Sequence, residues 1–334
     1  MKLCLPIVFL GMLAGASSSR AHQSVKKTAY DDCTIFEKSP RKSRFERSWH
    51  YLSRDTLRAM ADHLFDMPHH PSEERIYNGA LKRIDPQKVR CGDIVFVRSD
   101  MMGRYFSEVH PHIHAPYILI THHADEAVPG PFIQFLDDPK ILAWFSQNPD
   151  GTEHPKFFPM PIGLASRFWP HGDVDAIART RDAFVGAPRT IVAYLNINEA
   201  TYPPERVPVK RFFLTKPFCV VADHRKPFGD YLIDVAQAQF VLSPRGNGLD
   251  CHRTWEALMM GAIPVVRSSY LDPLFDGLPV LIISDWSEVT QQFLELRYQE
   301  IMSKAYDFAP LYHEYWQQKI YAVRDAALTS LAQK

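Results

Sequence analysis

Short unbroken apolar runs alternate along this chain with longer segments whose apolar positions recur at three- and four-residue spacing. Ser53 is placed to cap a helix running through Phe65, with Leu57, Met60, Ala61 and Leu64 on one face. Residues 94–97 and 117–120 predict two buried strands. The segment around 101–109 between them is compatible with a helix, which makes a β-α-β unit. Asp137-Asp138-Pro139 predicts the start of a helix carrying Ile141, Leu142, Trp144 and Phe145, because a carboxylate cap followed by proline is a start signal. Residues 157–161 predict a further strand or extended segment.

The second half alternates more regularly. Strands are predicted at 191–195, 219–222, 240–243, 263–267 and 280–283, and helices at about 204–214, 229–238, 251–260, 287–305 and 311–331. Continuous apolar strands separated by helices imply parallel sheets covered on both faces. The predicted fold is therefore α/β, with two Rossmann-like domains facing each other across a cleft. The first spans 49–187 and the second 188–334, with the junction near 185–189 and the last helix free to cross back.

The N-terminus changes the picture of where the protein works. Lys2, the apolar run 3–16 and the small residues before Arg20-Ala21 have the pattern of a secretory signal peptide over 1–21, with cleavage expected after Ala16 or Ala21. Residues 22–48 read as an extended or disordered tail. An exported or lumenal compartment is expected, either the secretory pathway and Golgi lumen or a periplasm, with membrane association only if the signal is retained. Cys33 is the best disulfide candidate and Cys219 reads as a buried thiol. Lysine plus arginine and aspartate plus glutamate balance at 38 each. No overall field therefore points to nucleic acid or an anionic membrane.

The candidate chemistry is concentrated in one stretch, SPRGNGLDCHRTWEALMMGAIPVV, running from Ser243 to Val266. It leaves an apolar strand through a glycine-punctuated polar loop and enters a helix. In open parallel sheets ligands sit at such carboxyl ends. Gly246 and Gly248 are expected to take positive φ and to admit a ligand closely, and Asp250 to cap the helix. The helix N-terminus then favours an anion, with Ser243, Arg245, Asn247 and Arg253 around it. Arg253 and Glu256 share a helix face. An arginine suits a diphosphate and a glutamate suits two ribose hydroxyls, which together describe a nucleotide. Neither the phosphate-loop pattern nor the dinucleotide-binding glycine fingerprint is present.

Arg253-Thr254-Trp255-Glu256-Ala257, followed by Gly261-Ala262-Ile263-Pro264-Val265-Val266, resembles the donor-binding segment of exostosin-like glycosyltransferases (family 47 and related inverting enzymes). The resemblance extends over 240–290 and, more loosely, over 118–130 and 154–164, about half of the chain. It implies a GT-B type fold, a nucleotide-sugar donor (a UDP- or GDP-sugar), a glycan acceptor, inversion at the anomeric carbon and no obligatory metal or other cofactor.

Inverting transfer needs one base for the acceptor hydroxyl. The loop after the 117–120 strand offers Asp125 and Glu126, with His123 close behind. His110, His112 and His114, with His122 and His123, invite a metal-dependent hydrolase as a rival, but Pro111 interrupts the strand and no paired-ligand spacing accompanies them. A non-catalytic glycan- or nucleotide-binding module is the other rival. Asp173-x-Asp175 reads as a helix cap. Asn196, Asn198 and Arg206 are expected near the cleft, where they would assist the donor phosphates.

Overall fold

The computed structural model describes residues 50–66, 84–222 and 226–333; the segments read from the sequence as a signal peptide (1–21) and a tail (22–48), with Cys33, lie outside them. Strands β1 (His63–Phe65), β2 (Ile94–Arg98), β3 (Tyr117–His122), β4 (Ile141–Ser146) and β5 (Phe157–Pro159) form one parallel sheet in that order. Strands β6 (Ile191–Leu195), β7 (Cys219–Val221), β8 (Ala238–Leu242), β9 (Ile263–Arg267) and β10 (Leu281–Ile283) form a second parallel sheet, ordered β10-β9-β8-β6-β7. The fold is two Rossmann-like α/β units, as the sequence predicts.

Two expected helices differ. The helix from Ser53 is α1 (Arg54–Met60), and the chain then turns into β1, which pairs with β2 through His63, Leu64 and Phe65. The segment after Asp137-Asp138-Pro139 is not a helix but β4, buried along its whole length between β3 and β5. A strand buried on both faces is apolar at every position and loses the period-2 signal that would distinguish it from a helix.

The winding of the first sheet accounts for the path of the C-terminus. Its strands follow one another in chain order, and right-handed crossovers put all such connections on one face. That face is covered by Met102, Tyr105, Phe106, Val109 and Leu136 from the β2–β3 and β3–β4 connections. The opposite face is covered by Leu57 and Met60 of α1 and by Trp316, Ile320 and Leu328 of the last helix, His313–Ala332, which crosses back from the second half. Helix α2 (Val174–Phe184), capped by Asp173 through Ala176 N, packs instead within the core of the second unit. By packing, α2 goes with the second unit and the last helix with the first, although the chain order places them the other way round.

Helices α3 (Pro203–Phe213), α4 (Phe228–Gln237) and α5 (His252–Met259) follow β6, β7 and β8. The strand order reverses between β6 and β8, which is the crevice where such sheets bind ligands. Cys91 is disulfide-bonded, while Cys219 and Cys251 are free thiols. No helix among the described residues is long and apolar enough to cross a membrane.

Candidate functional site

The carboxyl ends of the two sheets meet where the 243–251 loop reaches the first unit. Asp250 makes the junction. It is not the cap of α5, as the sequence suggests; that position belongs to Cys251, which makes no side-chain cap. The Asp250 carboxylate instead accepts from Ile162 N (2.7 Å) beyond β5, from Cys251 N (2.7 Å), and with both oxygens from Trp255 Nε1 (2.9 Å). Burial pushes its carboxyl up to about 6, against the pull of those donors. Asn148, in the left-handed region at φ 52, accepts from Asp250 N (2.9 Å) and donates to Ala124 O (3.0 Å). Gln147 receives His123 N (3.0 Å), so the 123–126 loop is held from below.

Gly248 sits at this junction for a reason other than the expected one. Neither Gly246 nor Gly248 has positive φ. A Cβ on Gly248 would lie 2.7 Å from Asn148 Nδ2 and 3.2 Å from Asp125 Oδ1. The glycine is required by close approach of the two loops, and this places Asp125 in the cleft.

On the second unit, Arg253 reaches across the β6/β8 crevice and donates from Nε to Asn196 O (3.1 Å). Its Nη1 is buried and meets no hydrogen-bond partner among the described residues. Glu256, one turn deeper, does not spend itself on Arg253; it accepts from Tyr231 Oη (2.8 Å). Burial pushes its carboxyl up to about 7, with the Tyr231 hydrogen bond and the Arg253 charge acting the other way. Asn196 Nδ2 donates to Tyr194 Oη (3.2 Å), which donates to Asp234 (2.7 Å). A guanidinium with an unspent donor therefore stands beside a buried acid at the topological switch point.

The rest of the predicted loop is arranged differently. Ser243 Oγ and Thr254 Oγ1 pair at 2.9 Å. Arg245 turns back on its own loop, donating to Gly246 O (3.2 Å) and Asn247 O (2.7 Å), with its guanidinium 4.5 Å above the Tyr202 ring. Asn247 is exposed. Arg206 is a prop: it donates to Arg245 O (2.7 Å) and Asn198 O (3.0 Å) instead of facing a ligand. A cavity of about 290 Å³ opens beyond β8 and β9, lined by Ser243, Arg245, Thr254, Arg267 and Ser269 among others. Arg253 and Glu256 do not line it. The chemistry is nevertheless best placed at the β6/β8 crevice, because the unspent guanidinium donor is there.

Of the residues expected to supply the base, His123 adopts φ 70 and packs edge-on against Phe168 (6.4 Å), Asp125 borders Gly248, and Glu126 is exposed. His252, not singled out from the sequence, starts α5 and sends Nδ1 across the cleft to Gly163 O (2.7 Å). Its place beside Arg253 in the polar loop was the only signal available. The other histidines disperse. His110 is fixed between Tyr117 Oη (2.7 Å) and Asp138 (2.9 Å), and His112 and His114 are exposed. Among the described residues no three His, Cys, Asp or Glu side chains converge as a metal-ligand set.

No family model matches this chain and no curated protein does. Solved structures similar to it include a GtfA/B complex, at 14% identity over 71% of this chain and 58% of that one, with a TM-score of 0.35. An α,α-trehalose-phosphate synthase (UDP-forming) from Burkholderia vietnamiensis is similar at 11% identity over 77% of this chain and 79% of that one, TM-score 0.38. The UDP-GlcNAc 2-epimerase from Methanocaldococcus jannaschii is similar at 10% identity over 72% of this chain and 76% of that one, TM-score 0.31. The chain thus spans 58% of the length of the first.

Proposed function

We propose that this protein transfers a sugar from a nucleoside-diphosphate donor to a glycan hydroxyl. The observation that carries the reading is the buried, unspent Nη1 of Arg253 at the β6/β8 crevice, one helical turn from the buried acid Glu256. Arg253 and the free N–H groups that begin α5 stabilise the departing diphosphate as its charge develops, as fixed donors do in other transferase sites. Glu256 accepts from the ribose hydroxyls. The first unit carries the acceptor, with the 123–126 loop across the crevice. The resemblance of 253–266 to exostosin-like enzymes supports a UDP- or GDP-sugar, hexosyl or pentosyl transfer, inversion and no obligatory metal. The N-terminal pattern supports an exported or lumenal place of work.

Thermal melting with UDP, GDP and CMP in turn, for the protein and for Arg253→Ala, tests the reading. A nucleotide at 100 times its dissociation constant adds about 2.7 kcal/mol of stability, a shift of several degrees for units of this size. One diphosphate raises the melting temperature, and Arg253→Ala abolishes the rise. A folded protein that no nucleotide stabilises would falsify the proposal.

A further inference from the structure

We infer that His252, rather than a side chain of the 123–126 loop, takes the proton of the acceptor hydroxyl, and that Asp125 steadies the imidazolium so formed. The inference rests on the glycosyl-transfer reading and names a group that reading leaves open.

The tautomer follows from the partner. Gly163 O can only accept, so the 2.7 Å contact requires the proton on Nδ1 of His252. In the neutral ring Nε2 then keeps its lone pair, and no hydrogen bond engages it among the described residues. The carbonyl that fixes the ring is itself rigid. Gly163 lies at φ 65 with its Cα against the Leu52 backbone, where a Cβ would collide with Leu52 O, and the next residue donates to that same oxygen (2.9 Å). The second unit's helix therefore presents a base whose orientation is set by the first unit's backbone.

Its neighbours suit the task. His252 and Arg253 are consecutive at the start of α5 and diverge, one toward the first unit and the other to Asn196 O of the second. The base and the leaving-group contact thereby fall on opposite sides of one crevice. The groups acting on the ring are the Gly163 carbonyl and Asp125, which favour its charged form, and Arg253, which opposes it. The rings of His171 (6.2 Å) and, at β3, His122 lie beside it. Burial outweighs these and holds the ring below its ordinary value, so it is neutral and ready to accept at pH 7. Trp169, 45% exposed and stacked on His171, gives this side of the crevice an aromatic wall for a sugar ring.

In the step, the acceptor oxygen bonds to the anomeric carbon as its proton passes to Nε2. The bond from that carbon to the diphosphate oxygen breaks, and its electron pair leaves with the diphosphate toward Arg253. The imidazolium, positive beside Asp125, returns its proton to solvent.

The variant that separates chemistry from structure is His252→Asn, whose amide nitrogen can still donate to Gly163 O but which has no second ring nitrogen; His252→Gln is the reserve if it misfolds. The full-chain protein labelled with 15N-histidine, with His252 assigned by difference from the variant, reports the tautomer by long-range NMR. The proton on Nδ1 and a neutral ring at pH 7 are expected; a proton on Nε2, or a charged ring, overturns the assignment whether or not turnover is found. Release of nucleoside diphosphate is then followed against pH, using sugar conjugates of whichever nucleotide stabilises the protein. His252→Asn should bind that nucleotide as wild type does but turn over on the order of 10²–10⁴-fold more slowly, as general-base loss does. The acidic limb of the wild-type profile should vanish in it, and Asp125→Asn should move that limb to lower pH. Unchanged turnover with the limb intact, or lost nucleotide binding in both His252 variants, would reduce His252 to a structural residue. If no nucleotide binds the wild type, the donor reading itself fails, and the role of His252 with it.

Discussion

Glu256→Gln should make the protein more stable and a worse nucleotide binder. The Glu256 side chain is 5% exposed and its carboxyl is pushed by burial to about 7 from an ordinary 4.5. Between those two pH values the folded chain keeps a proton that the unfolded chain has released. Stability therefore falls as pH rises through that window, by about 1.4 kcal/mol per pH unit, or about 3 kcal/mol in all. Glutamine has nearly the same shape, can accept from Tyr231 Oη through its amide oxygen, and does not titrate. Urea unfolding of both proteins from pH 4 to pH 8.5 is the assay. The two should agree near pH 4, and the variant should gain up to about 3 kcal/mol by pH 8. Taking the difference removes Asp250, which acts in the same direction between 3.8 and about 6 in both proteins. Nucleotide affinity should move the opposite way, since a hydrogen bond to a charged acceptor contributes about 1.5–3 kcal/mol. A constant difference across pH, or a variant weaker than wild type at pH 8, would refute the burial argument and indicate that Arg253 pairs with Glu256 in solution.

Two further changes probe how the units are held. Gly248→Ala puts a methyl group against Asn148, which is itself buried and held at both ends of its amide, so relief is limited. A loss of about 1–3 kcal/mol in thermal or urea unfolding is expected, as for overpacked cores, and a neutral variant would mean the loops separate freely. Trp316→Ala removes a fully buried ring from the helix that covers the open face of the first sheet and breaks its bond to Pro310 O (2.9 Å). About 3–5 kcal/mol should be lost, with limited proteolysis attacking the first unit before the second.

Much of the second unit was legible in the sequence. Its five apolar runs are separated by α-helical segments except between β9 and β10, and the Arg253–Glu256 spacing by itself places both side chains on one helical face. The first unit was less legible. β4 follows an apparent helix cap, yet in the fold Asp138 accepts from Lys140 N and His110, and the run it introduces is buried on both faces. β1 exists through its pairing with β2, which sequence periodicity does not record.

The sequence by itself determined the α/β class and the place of the polar loop, because hydrophobic period and local spacing are properties of neighbouring residues. It did not decide which side chains of that loop face a ligand. Arg245 is spent on its own loop and Asp250 on Ile162 and Trp255, while His252 is engaged at Nδ1 alone, by Gly163 O, and Arg253 retains a free donor. The engagement of Asp250 by Ile162 N and of His252 by Gly163 O depends on backbone groups about 90 residues away, which only the packing of the two units brings within hydrogen-bond reach.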